Sequence, residues 1–142
     1  MILLPAAGPS ADAPPPYNYI DDTGSHQVPA TTTVEEILVG GAGLTLNNTG
    51  PSAGWYFVTT NVTFTGTVSV NAPGGQVHLI IADGCTMTTT SIFTVAANTE
   101  FHLHPELDPA TSTLKVGSGG IVFNNGSSLF NYAVIETASA GS

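Results

Sequence analysis

Apolar and polar residues alternate along this chain in short stretches, and the stretches recur. Leu44-Thr45-Leu46, Val68-Ser69-Val70, Phe93-Thr94-Val95 and Ile121-Val122-Phe123 share one pattern, each followed by a small or amide pair. Their starts lie 24, 25 and 28 residues apart. A second piece follows each: Trp55-Tyr56-Phe57, Val77-His78-Leu79, Phe101-His102-Leu103 and Leu129-Phe130-Asn131. A third (Val62 to Phe64, Met87 to Thr89, Leu114 to Val116) precedes each later first piece. Period-two alternation is the signature of a strand with one buried face. Three such strands in every repeat of about 25 residues predict a coil of stacked rungs, each apolar side chain resting on its counterpart one rung away. The expected fold is all-β, a right-handed parallel β-helix of about four rungs. A sandwich or jelly roll also supplies many short strands, but does not require this register between them.

The amides carry the same period. Asn47, Asn71 and Asn124 occupy one repeat position, with Ala96 breaking the series. Asparagine tolerates a left-handed turn, and stacked amides can bond along a coil. A turn ladder of Asn47, Asn71 and Asn124 is therefore expected.

GWYFVTTNVTFTGTVSV followed by VHLIIADGCTMTT is similar to the β-helical modules of secreted and surface bacterial proteins, some of which bind carbohydrate. The preceding YNYIDDTG resembles the lead-in segment of such modules. The likeness runs over residues 17–105 and ends after His104, where long glycine-rich rungs do not follow. It implies the fold, and no functional residue is carried over from it.

Residues 1–33 differ in kind, with Pro14-Pro15-Pro16, then acids, then Thr31-Thr32-Thr33. They read as an arm or cap, leaving residues 34–142 as one β-helix domain. Val34 to Val39 is a short helix or strand expected to cover the start of the coil. The opening MILLPAAGPSADA lacks a basic segment, and its apolar run is short for a signal peptide. Residues 105–112 (PELDPATS) interrupt the repeat and predict a surface loop. The last rung, around Leu129, has no comparable cover in sequence. A solenoid end exposes unpaired backbone and an apolar cross-section, so self-association or attachment to a larger assembly is expected.

Charge narrows the partners. Ten acids stand against Lys115 alone, giving −9, so the basic patch needed for nucleic acid is missing. Anionic membrane surfaces are disfavoured for the same reason. A single cysteine, Cys85, allows no internal disulfide.

Chemistry is harder to find. Alternation places His78 and His102 outward on neighbouring rungs, with His104 on the same face and Glu106 just beyond. Three imidazoles and a carboxylate are a candidate ligand set for Zn²⁺. Neighbouring parallel side chains nonetheless point the same way, which opposes convergence on one ion, so neither metal nor cofactor is expected. Glycoside hydrolysis requires two facing carboxylates, whereas Asp83, Glu100 and Glu106 read as turn residues. A lyase acting on acidic sugars needs a basic proton acceptor, and Lys115 is the one available. No enzyme is expected. Register instead aligns Tyr56, His78, His102 and Phe130 in one outward stripe, flanked by Trp55 and Tyr132. Such a stripe marks an interaction surface. The sequence thus points to a structural or adhesive subunit of an extracellular or virion assembly, of fibre or decoration type. A carbohydrate-binding surface module is the alternative.

Overall fold

The computed structural model describes residues 17–50 and 52–137, and every regular element among them is a strand. Two strands, β1 (Asn18–Asp21) and β2 (Gly24–Gln27), form an antiparallel hairpin. The chain then passes through β3 (Glu35–Ile37), β4 (Leu44–Asn47), β5 (Trp55–Val58), β6 (Val62–Phe64) and β7 (Val68–Asn71). β8 (Gln76–Ile81), β9 (Thr86–Thr89), β10 (Phe93–Val95) and β11 (Glu100–Pro105) follow. β12 (Thr113–Val116), β13 (Ile121–Phe123), β14 (Ser128–Asn131) and β15 (Val134–Thr137) complete the order.

Consecutive strands lie in different sheets, and each pairs in parallel with the strand one repeat away. One sheet runs β13-β10-β7-β4, a second β14-β11-β8-β5-β3, and a third β15-β12-β9-β6. The chain is a parallel β-solenoid of about four turns, with three strands to a turn, as the repeat predicts. The recurring first pieces form one sheet in the expected register, with Leu46, Val70, Val95 and Phe123 stacked in line. Inside, Val62, Met87, Leu114 and Ile135 form a second column. Fully buried Val77 and Phe101 form a third.

Stacking at strand spacing demands close backbone approach at the corners. A Cβ added to Gly66 would meet the Ala42 carbonyl oxygen at 1.9 Å, and one on Gly40 the Thr63 carbonyl oxygen at 1.9 Å. Only glycine fits there.

Two features of the amino-terminal third stand out. Val34 to Val39 contains a strand: Glu35–Ile37 pairs in parallel with β5 and forms the first strand of the second sheet. The hairpin lies along the outer face of the second sheet rather than over an end. Tyr17, Val28, Val34, Phe57 and Ile80 form a second buried cluster there, with Tyr19, Trp55 and Ala82 against it. The reason is the pattern of β5 and β8, whose Phe57-Val58 and Leu79-Ile80-Ile81 runs are buried throughout. A strand apolar on both faces needs cover on both. Met1 to Pro16, with the triple proline and the opening segment, lie outside the described residues, as do positions 138–142.

The 105–112 loop is held from below. The Asp83 Oδ1 accepts from the Leu107 and Asp108 amides at 2.9 Å, and Ser112 Oγ donates to the Ile81 carbonyl at 2.7 Å.

Candidate functional site

The outer face of the second sheet brings together Trp55, His78, His102, His104, Phe130 and Tyr132. Strand alternation turns Trp55, His78, His102 and Phe130 the same way. Parallel register then places ring on ring: Trp55 on His78 at 4.0 Å between centroids, His78 on His102 at 4.5 Å, His102 on Phe130 at 4.5 Å. The spacing is close to the strand separation of about 4.8 Å, so the sheet itself sets the stack.

The stripe expected from sequence is corrected at one place. Trp55, not Tyr56, pairs with His78, and Tyr56 pairs with Leu79 inside the coil. Tyr56 is buried, and its hydroxyl accepts from the Asn47 amide at 3.0 Å and donates to the Asn47 carbonyl at 2.9 Å. The β4–β5 turn is longer than its counterparts, which shifts the first rung by one residue and reverses every side chain on that strand. Phe57 is buried beneath the hairpin. Trp55 keeps partial exposure, Tyr132 lies partly exposed on the neighbouring column, and Phe130 is 38 % exposed.

His104 belongs to the same face but is 1 % exposed. Tyr19 covers it edge-on at 4.8 Å, and Tyr132 stacks at 5.4 Å. Its Nδ1 lies 2.9 Å from the Ile20 carbonyl, tying the hairpin to the solenoid. Glu106 does not join the histidines, because its carboxylate accepts from the Asp83 amide at 3.1 Å. The strand ends at Pro105, so the next side chain no longer follows the alternation.

Protons on the rings follow from their partners. A carbonyl only accepts, so His104 Nδ1 carries hydrogen. Gln76 Nε2 donates to Glu100 Oε1 at 3.1 Å, which turns Gln76 Oε1 toward His78 Nε2 at 3.0 Å. His78 Nε2 therefore donates too, as does His102 Nε2 to Glu100 Oε1 at 3.2 Å. In neutral rings the lone pairs then sit on His78 Nδ1, His102 Nδ1 and His104 Nε2. The first and last face each other at 3.1 Å with no hydrogen between them. Burial, then the charges of His102 and His104, pushes the His78 pKa down to about 3. Burial dominates again at His104 and lowers it to about 4, against the opposing pull of the Ile20 hydrogen bond.

The asparagine positions align but do not bond to one another among the described residues. Asn47 Oδ1 accepts from the Thr49 amide and hydroxyl, and Asn124 Nδ2 donates to the Val95 carbonyl. Asn71 pairs with Asn47 in register and is exposed. The left-handed asparagine is Asn98, at φ 56°.

Gln76 and Glu100 are the outer partners of the rings. Each lies two residues before its histidine, on the same face, so the alternation did contain them. Tyr19 and Ile20 had no such signal, being 85 and 84 residues from His104. No family model, curated protein or solved structure matches the chain.

Proposed function

We propose that this protein is a non-enzymatic building block, a structural or adhesive β-solenoid that assembles through its last rung. The observation that carries this reading is the state of that rung. Among the described residues, β13, β14 and β15 each bond a neighbour on one side only. Val122, Phe123 and Phe130 on them are 38 %, 44 % and 38 % exposed. An unpaired parallel edge carrying apolar side chains is a template for a further strand. Phe130 also ends the ring column, with one face on His102 and, among the described residues, no ring on the other.

The stacked column favours assembly over a sugar platform. A glycan stacks on an open ring face, whereas Trp55 has one face on His78 and Tyr19 tilted against it at 5.1 Å. His78 and His102 are likewise covered above and below. An extracellular or virion setting suits such a subunit.

Light scattering over a hundredfold concentration range tests this. The building block forms a defined oligomer or a growing filament without ligand, and Phe130→Glu with Phe123→Glu returns it to monomer. A wild-type chain that stays monomeric throughout refutes the proposal and turns attention to a glycan screen.

A further inference from the structure

The histidine cluster has a property that stacking does not account for. Each of His78, His102 and His104 donates one ring N–H outward to an oxygen: an amide carbonyl, a carboxylate and a backbone carbonyl respectively. This is the outer-shell arrangement that orients metal-ligating imidazoles and fixes their tautomer. Each ring is left with a lone pair, and one nitrogen from each lies within 4.8 Å of the other two.

Two of those lone pairs confront each other at 3.1 Å in a buried setting. Facing acceptors repel, so the cluster lacks a positive centre at that point. Tetrahedral Zn²⁺ with bonds of about 2.0–2.1 Å holds its nitrogens about 3.3 Å apart, close to this pair. Three neutral imidazoles with no thiolate suit zinc, copper or nickel rather than calcium or magnesium.

We propose that His78, His102 and His104 form a binding site for a divalent transition-metal ion, of which Zn²⁺ is the representative. The ligand atoms are His78 Nδ1, His102 Nδ1 and His104 Nε2. Completing the set requires the His102 ring to turn out of its stack on His78, where the two planes differ by 27°. The site spans β8 and β11, and through the Ile20 carbonyl it clasps the hairpin onto the solenoid.

The test uses the full chain, free of any tag and stripped with chelator, titrated with Zn²⁺ and with Co²⁺ as a coloured stand-in. One equivalent is taken up, Co²⁺ develops visible absorption bands, and zinc raises the melting temperature. His104→Phe and His78→Phe weaken uptake about 100-fold or more, while Glu100→Gln weakens it about tenfold. His26→Gln leaves uptake unchanged. Ring ¹⁵N spectra of the wild type give a reading that needs no variant: zinc shifts His78, His102 and His104, not His26. No uptake by the wild type, uptake that survives His78→Phe and His104→Phe, or a zinc response confined to His26 overturns the proposal.

Discussion

Mild acid should loosen this protein through two buried imidazoles. His78 stands against Trp55, His102, His104 and Gln76. His104 stands against Tyr19, Tyr132 and the Ile20 carbonyl, and feels Asp21 and His26 of the hairpin. Burial lowers both below the ordinary 6.5, to about 3 and about 4. Because the folded values lie below the unfolded one, protons bind the unfolded chain first. The stability linked to these neutral rings is therefore full above pH 6.5 and drains away as pH falls toward 4.

Between pH 7 and pH 5 an unfolded histidine goes from mostly neutral to mostly charged, while both folded rings stay neutral. That difference comes to nearly 2 kcal/mol for each group, or about 3.5 to 4 kcal/mol for the pair. A shift of one pH unit in either folded value changes this sum little, because pH 5 still lies at or above both. The assay is urea unfolding at pH 7 and pH 5 in chelator, comparing wild type with His78→Phe/His104→Phe. Phenylalanine keeps the stacking and cannot titrate. The wild type should lose about 3.5 to 4 kcal/mol more than the double variant over that interval. Equal losses in the two proteins would show that the rings are not held neutral by the fold.

The rungs make further claims. Thr89 sits in the core between Phe64 and Val116, 1 % exposed, with a hydroxyl that finds no partner among the described residues. Thr89→Val keeps the shape and removes the stranded group, so thermal unfolding should show it stabilised by about 1 kcal/mol. Gly66→Ala forces a methyl against the Ala42 carbonyl and should cost about 3 kcal/mol, read by urea unfolding; a neutral result would mean the corner is looser than the fold implies. Tyr56→Phe deletes both hydroxyl bonds to Asn47 and should cost about 1 to 2 kcal/mol in the same experiment. Phe101→Ala empties a fully buried site stacked on Val77 and should cost about 3 to 5 kcal/mol.

Period two and a 25-residue recurrence set the strands, their sheet partners and the inward columns. All of these are local: side chains alternate on a strand by geometry, and identical spacing brings like positions together. The recurrence of Val68, Phe93 and Ile121 was legible because turns of near-equal length keep the register. Where one turn is longer, before Trp55, equal spacing misplaces a whole strand by one residue. The long runs at Phe57-Val58 and Leu79-Ile80-Ile81 also recorded, in sequence, that this sheet is covered on both faces.

What covers it was decided by the tertiary structure alone. The hairpin reaches its place across 84 residues of chain to His104, and nothing in its own pattern names the surface it meets. Docking buries His104, fixes its tautomer through the Ile20 carbonyl and turns a row of outward histidines into a cluster with facing lone pairs. Alternation tells which face a side chain occupies. Its proton affinity, its hydrogen-bond partner and its distance from another ring depend on what lies across that face.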